Sequence, residues 1–322
     1  MNIIILIYEL LKMFFIGIQK GIFINPNGKK LSSYLESLGP IFTKFGQLLS
    51  TRTDVLDYET AKELESLTDS CKPFNVSQLK KIIEKELNDK IENIFEYFDD
   101  EPLAAASLAQ VHSARLKTGQ DVVIKVLRPN IERKVKKNLR LLKSAAKIFS
   151  YVYKESYRLK PNEVVKDYES TILKELDLKL EASNTNLTRK NFLDSEELYI
   201  PEVYWDLTTS NVMVLEKIDG IPCTDINQIE SYGIDKKTLA ENGVMIFLNQ
   251  VFRDNFFHAE ICILEIFLFQ KKTLKNLDTL QLIVPLQDHY QMMKDILLQE
   301  CFKLFSSKTI NLLQIYLSIL AG

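Results

Sequence analysis

Cysteine is scarce and scattered in this 322-residue chain: Cys71, Cys223, Cys262 and Cys301 stand far apart, with no CxxC. That excludes a disulfide framework or a thiolate metal clip and leaves reduced thiols as the expectation. Histidine is rarer still, with 3 residues. His112 and His289 have no second metal-type residue at ligand spacing, so both are read as structural or surface residues. No excess of either charge exists: 41 basic side chains meet 43 acidic ones for a net charge of −2, so nucleic acid is not an expected partner. Long uncharged apolar runs are missing too. The most apolar stretch, MNIIILIYELLKMFFIGIQKGIF at 1–23, is interrupted by Glu9, Lys12 and Lys20, and no window of about 20 residues suits a spanning helix. It lacks a basic leading region and a small-residue cleavage site, which argues against a signal peptide. The expectation is an amphipathic helix lying on a membrane or on the protein's own core. Internal repeats and low-complexity linkers are absent.

What is present is an ordinary globular composition, 46% hydrophobic and 26% charged, with room for one large or two ordinary domains. The stretch GPIFTKFGQLLSTRTDVL at 39–56 organises the rest. Leu38, Ile41, Phe42, Phe45, Leu48 and Leu49 recur at helical spacing, and Lys44 and Gln47, three apart, share a face. A lone Lys beside an apolar stripe ordinarily snorkels to solvent. NPNG at 25–28 separates the first helix from an opening helix over 31–56. A charged helical pattern covers 58–98, broken at Lys72–Pro73, with Asn75 or Ser77 as N-cap of its second part. At 99–128 the chemistry changes. SLAQVHSARL and the β-branched DVVIKVL form a predicted hairpin joined at 117–120, with Lys125 in mid-strand. Residues 130–183 read as helices ending in Glu175, Asp177 and Glu181, by default surface acids. LYIPEVYWDL and NVMVLEKI read as two further strands turning at 208–211, and helices return at 236–256 before His258.

This order is that of a protein-kinase N-lobe running into its C-lobe. Where a GxGxxG loop would cover phosphates, the chain has PLAAASLAQVH. Together with GPIFTKFGQ, DVVIKVLRP and ELDLKLEASN, in this order over 38–260, that loop resembles the UbiB/ADCK family of atypical kinase-like proteins. The resemblance implies an α+β, protein-kinase-like, helix-rich fold. Its parts would be a helical extension with a KxGQ motif (1–98), an N-lobe built on a small antiparallel sheet (99–220) and an incomplete helical C-lobe (221–322). It implies ATP between the lobes, accompanied by Mg2+. Lys125 would meet the α/β-phosphates, Glu175 would hold Lys125 in place, and Glu181 is the alternative partner. The backbone at Ala104, Ala105, Ala106 and Ser107 would cover the phosphates, less adaptably than glycine would. Glu216 and Ile218 would lie in the hinge that meets an adenine edge. Because the KxGQ helix of the family folds back over the active site, Lys44 and Gln47 would be pocket residues. The resemblance further implies support of ubiquinone (coenzyme Q) biosynthesis, ATPase rather than protein-kinase behaviour, and a peripheral place on the bacterial inner membrane. Expected partners are a membrane surface or lipid, such as an isoprenoid quinone precursor, and other ubiquinone-biosynthesis proteins. A direct hydroxylase role finds no support, since no flavin or NAD fingerprint is visible.

The family's catalytic segment reads approximately FFHADxHPGN, with DFG further on. Here Phe256–Ala259 match, Glu260 stands in place of the catalytic Asp, Glu265 in place of the metal-binding Asn, and His-Pro-Gly is missing. Ile261–Phe267 can be encoded ATA TGC ATC CTG GAA ATA TTT, which from its third base reads Met-His-Pro-Gly-Asn-Ile, so a frameshift just after Ala259 is inferred. Asp278 stands nearest the DFG aspartate and is the candidate metal ligand, without a following Phe-Gly. The expectation is an incomplete C-lobe and little or no ATP turnover. Glu260 carries its carboxylate about 1 Å too far, on the order of a 10²-fold loss in a positioned site. The alternative reading is a catalytically dead pseudokinase scaffold.

Overall fold

The computed structural model describes residues 3–24, 26–52, 56–68, 71–153, 156–195, 198–218, 221–222, 226–231, 242–243, 245–246, 248–256, 268–271 and 280–283. These fall into two compact units, Met1–Ser183 with Val203–Lys217, and Asn184–Glu202 with Ile218–Gly322.

The first unit begins with five helices: α1 (Ile3–Gln19), α2 (Gly28–Leu38), α3 (Pro40–Ser50), α4 (Tyr58–Glu65) and α5 (Val76–Leu87). The single opening helix expected over 31–56 is two helices. Gly39 sits at φ 105, a conformation that suits glycine, and Pro40 starts α3 at its first turn. Asn75, one of the two candidate caps, closes α5 by accepting from the Ser77 N–H at 2.8 Å. The helical reading to residue 98 is also corrected. After α6 (Ile91–Ile94) the chain enters a strand at Phe95, which pairs with Leu116. Aromatic Phe95 and Phe98 pack against the sheet, and that burial outweighs the helical spacing.

That strand is β1 (Phe95–Ala105), followed by β2 (Ala109–Leu116) and β3 (Asp121–Leu127). Beyond the short β4 (Leu198–Tyr199) of the second unit comes β5 (Val212–Glu216). The sheet is antiparallel in the order β1-β2-β3-β5. Alternation gives it two faces. Val122, Ile124, Val126, Val212 and Val214 bury one face against Leu79 and Ile83 of α5. Lys125, with its cross-strand partners Val111 and Met213, lies on the other. The expected hairpin at 117–120 is present. LYIPEVYWDL is not one strand: Pro201 offers no N–H to a ladder, Val203 makes a lone bridge to Leu215, and Trp205–Leu207 form a 3-10 turn.

Helices α7 (Ile131–Val152), α8 (Ser156–Leu159), α9 (Pro161–Lys174) and α10 (Leu178–Asn191) follow β3 in the chain. The acidic segment is thus divided between two helices, with the Leu178 N–H bonded to the Ser210 carbonyl at 3.0 Å where α10 begins. Helix α1 turns its one acid toward the unit. Its acid, Glu9, pairs with Lys137 of α7, and Tyr34 of α2 donates to the Met13 carbonyl at 3.3 Å. Ile4, Ile7, Leu11, Phe15 and Ile18, one stripe at helical spacing, are exposed.

In the second unit, β4 joins β6 (Ile221–Pro222), β7 (Leu268–Lys271) and β8 (Leu280–Ile283) in a sheet of order β4-β8-β7-β6. It also holds α11 (Ile226–Ser231) and a π-helical turn at Asn249–Arg253. The Arg253 guanidinium lies 4.9 Å from the Phe192 ring centre and donates to the Asn191 carbonyl at 3.0 Å. His258, Glu260, Glu265 and Asp278 lie outside the described residues.

Candidate functional site

Lys125 sits on β3, an interior strand, so the ladder fixes its backbone from both sides. Val111 and Met213 flank it directly, and Ala104 pairs with Val111. Ala104, Val111, Lys125 and Met213 therefore form one row across the sheet. The start of the Ala-rich loop lies two strand spacings, about 10 Å, from the lysine backbone. The ammonium meets both oxygens of Glu181 from α10, at 2.8 and 3.0 Å. Both side chains are largely shielded, 22% and 12% exposed, which strengthens their attraction over that of a surface pair.

The expected pairing of Lys125 with Glu175 is corrected by this geometry. Glu175 instead accepts from Lys44 Nζ at 2.7 Å, with 22% of the lysine and 18% of the glutamate exposed. The physical reason is the break between α9 and α10. On one continuous helix, residues six apart would point about 240° apart; on two helices each acid reaches its own lysine. Gln47 donates from Nε2 to the Leu67 carbonyl at 2.8 Å. The KxGQ helix α3 is seated on α9 by Tyr168, which donates to the Ile41 carbonyl at 2.6 Å and meets the Phe45 ring edge-on at 5.2 Å. At Gly46 α3 lies close against its neighbours: a Cβ there would lie 2.5 Å from Leu67 Cδ1 and 2.8 Å from Leu35 Cδ1. Tyr168 and Gly46 were not singled out as structural determinants, although the KxGQ spacing contains the glycine.

Ala104 and Ala105 are the last rungs of β1, paired with Val111 and Gln110. The loop then closes tightly, with the Ala106 N–H on the Ala109 carbonyl at 2.9 Å and Ser107 buried. Its surroundings were missed by sequence reasoning. Arg128 donates from Nε to the Ala106 carbonyl at 2.7 Å, and the Cys71 N–H bonds the Ala105 carbonyl at 2.8 Å. Gln110 accepts from the Phe74 N–H at 2.9 Å through Oε1 and lies 2.7 Å from His112 Nε2 through Nε2. Since the Asp99 carbonyl, 2.8 Å from His112 Nδ1, can only accept, Nδ1 carries the proton and Nε2 accepts. Burial pushes the His112 pKa below its ordinary value. The histidine is structural, as expected.

At the expected hinge, Glu216 ends β5 opposite Val122, and Ile218 follows as the first residue of the second unit's second segment. Among the described residues no group of three or more His, Cys, Asp or Glu could hold a metal ion.

The ABC1 atypical kinase-like domain matches residues 66–299. Probable protein kinase UbiB of Shewanella baltica is 48% identical over 237 residues, covering 73% of this chain and 43% of that protein. Its counterpart in Pseudomonas paraeruginosa is 50% identical over 234 residues, covering 73% and 44%. The chain thus spans less than half the length of these relatives. Among solved structures, the Rv3197–erythromycin complex from Mycobacterium tuberculosis aligns with a TM-score of 0.50 at 20% identity, over 87% of this chain and 64% of that one. At that identity the likeness speaks for the fold alone. The fold is the helix-rich, kinase-like α+β architecture with a small antiparallel sheet.

Proposed function

We propose, from the premise that this chain belongs to the ABC1 atypical kinase-like (UbiB/ADCK) family, that it binds ATP through Lys125 and supports ubiquinone biosynthesis as a kinase-like ATPase. The observation that carries this reading is the Lys125–Glu181 pair, set in one row with the Ala-rich loop. An ammonium on an interior strand is a point charge of fixed position, suited to the α/β-phosphates. Glu181 orients it through contacts from both carboxylate oxygens. The loop backbone at 104–107 is held by the ladder and by the Ala106 N–H on the Ala109 carbonyl, which sets its place beside the lysine's row. ATP, when bound, supplies the phosphoanhydride bond; Lys125 holds and neutralises its phosphates.

Catalysis is a separate matter. Glu260 and Asp278, the residues assigned to proton transfer and Mg2+, carry no described geometry, and the sequence at 260–267 lacks the family's metal-binding pattern. The second reading, a pseudokinase scaffold that binds nucleotide without turning it over, is favoured by that segment. The proposed location is peripheral to the bacterial inner membrane, close to isoprenoid quinone precursors and other ubiquinone-biosynthesis proteins. Support comes from α1, which turns its acid inward and an apolar stripe outward, with Lys12 and Lys20 exposed beside it. Among the described residues no helix is long and apolar enough to cross a membrane.

Binding of a fluorescent ATP analogue and Mg-ATP hydrolysis by the full chain test the proposal together. The expected result is saturable binding lost in Lys125→Ala, with little or no hydrolysis. Absence of binding by the wild type sinks the ATP reading, and Lys125-dependent turnover sinks the pseudokinase reading.

A further inference from the structure

The turn at 208–211, just before β5, serves both elements that carry the Lys125–Glu181 pair. Its Ser210 carbonyl accepts from the Leu178 N–H at 3.0 Å, where α10 begins, and Glu181 stands in the first turn of that helix. The next carbonyl, of Asn211, accepts from the Leu127 N–H at 3.0 Å, two residues beyond Lys125 on β3. Two consecutive carbonyls thus seat the helix of the glutamate and the strand of the lysine. The side chains on either side of Ser210 are fastened from α5. Thr209 Oγ1 donates to one carboxylate oxygen of Glu86 at 2.8 Å, and Asn211 Nδ2 donates to the other at 3.0 Å. Glu86 lies at helical spacing from Leu79 and Ile83, the α5 residues buried against the sheet.

Only a carboxylate fits this place. Thr209 Oγ1 already accepts from the Asn211 and Val212 N–H groups at 3.2 and 3.1 Å, so its hydroxyl hydrogen goes to Glu86. The Asn211 amide nitrogen can only donate. Two donors therefore converge on one side chain, and an ionised carboxylate offers two acceptor oxygens where an amide offers one. The position also runs against helix preference, since Glu86 stands in the last turn of α5, the end that favours cations. We infer that Glu86 is a positioning residue for the proposed nucleotide site: it clamps the turn whose Ser210 and Asn211 carbonyls set Glu181 and Lys125 opposite one another. The inference rests on the proposed ATP site and names what aligns its lysine. Breaking the clamp loosens α10 against β3 at this end. Lys125 then spends less time on Glu181, and its ammonium loses the fixed place that a phosphate contact requires.

The test follows Lys125 directly in the full chain, by its rate of acetylation with acetic anhydride read by mass spectrometry. A paired ammonium holds its proton, and only the free amine is acetylated. Wild type, Glu86→Gln, Glu86→Ala and Glu84→Gln are compared, with binding of a fluorescent ATP analogue and thermal melting beside them. Glu84→Gln removes the same charge from α5, but Glu84 pairs with Lys90. Glu86→Gln, which keeps the size of the side chain, is expected to raise Lys125 acetylation about threefold and to weaken analogue binding about fivefold, less than removal of Lys125 itself. Glu86→Ala is expected to exceed both changes, and Glu84→Gln to match the wild type. Lys125 acetylation unchanged in both Glu86 variants overturns the inference, whatever their melting temperatures, and leaves the ATP site standing. Raised acetylation with unchanged analogue affinity overturns it as well, since the pair would move without consequence for the nucleotide. Equal changes in Glu84→Gln assign the effect to the charge of α5 and overturn the clamp. If the wild type binds no analogue while acetylation still rises in Glu86→Gln, the ATP site is overturned and the alignment of the pair is upheld. Should Glu86→Ala melt below the assay temperature, the glutamine variant carries the test alone, by the same outcomes.

Discussion

The two shielded lysine–glutamate pairs are nearly the same as isolated contacts, 2.7 Å for Lys44–Glu175 and 2.8 Å for Lys125–Glu181, with both lysines 22% exposed. They differ in what holds the lysine. Lys125 belongs to a strand hydrogen-bonded on both sides, so its backbone stays put whether or not Glu181 engages it. Lys44 belongs to a helix seated by side chains: Phe45 against Tyr168, and Gly46 against Leu35 and Leu67. There the ion pair is itself one of the ties between α3 and the end of α9. The ladder fixes the position of one charge independently of its partner, whereas the ion pair of the other is one of the ties between two packed helices.

The sharpest way to break this contrast is to remove each lysine in turn. Lys125→Ala is expected to weaken ATP-analogue binding on the order of 100-fold, the loss of a charged contact to phosphate worth about 2–3 kcal/mol. Lys44→Ala is expected to shift that affinity by less than about threefold, yet to lower the unfolding free energy by about 1–3 kcal/mol, since the shielded Glu175 loses its lysine. Equal losses of binding in the two variants, read by fluorescence titration beside chemical denaturation, would erase the distinction drawn between them.

The seat of α3 can be attacked without touching any charge. Gly46→Ala places a methyl group 2.5 Å from Leu67 Cδ1 and 2.8 Å from Leu35 Cδ1. The overpacking is expected to cost about 1–3 kcal/mol. Leu67→Ala in the same chain should return part of it, a coupling that a double-mutant cycle measures. Additive losses would mean that the leucine does not press on the glycine.

How legible these features were in the sequence depended on the range of the interaction involved. Lys125 stood out as a cation in a β-branched run, its role came from the family resemblance, and the hairpin that carries it needs only its own turn at 117–120. The Ala-rich loop and the KxGQ spacing were visible as strings. The partner of Lys125 was assigned to Glu175 and is Glu181, because choosing between them requires knowing that the helix breaks at 175–177, and that break is anchored by Ser210, remote in the chain. Arg128 was quoted within VLRP but given no role, since its contacts at residues 72, 74 and 106 are all tertiary. Phe95–Phe98 carried helical spacing and became strand because burial against the sheet overrode it.

A milder test uses pH, which reaches the sheet from the face opposite Lys125. His112 is fully buried, and burial lowers its pKa, so the folded state favours the neutral ring. Below the unfolded value near 6.5 the unfolded chain binds a proton that the folded chain resists. This contribution is therefore complete above that pH and is lost as the pH falls toward the depressed folded value. The melting temperature is expected to fall between pH 7.5 and pH 5.5, and less so in His112→Asn, whose amide can still donate to the Asp99 carbonyl. Carboxylates such as Asp121, held low by hydrogen bonding to Arg115, act in a more acidic range. A slope identical in wild type and variant would assign the effect elsewhere.

The smallest expected effect on stability belongs to α1, and it separates a helix that holds the fold from one that serves a surface. Leu11 and Phe15 stand outward, while Glu9 of the same helix is turned to Lys137. A polar residue at either outward position removes little packing from the unit, so Leu11→Asn and Phe15→Asn should each change the unfolding free energy by less than about 0.5 kcal/mol. The double variant is expected to lose sedimentation with vesicles of anionic phospholipid, because interfacial binding scales with the apolar area inserted, and Lys12 and Lys20 alone supply too little attraction. Retained vesicle binding would remove α1 from the membrane reading. A large loss of stability would show instead that these side chains are packed, and that α1 belongs with α3 among the helices that hold the unit together.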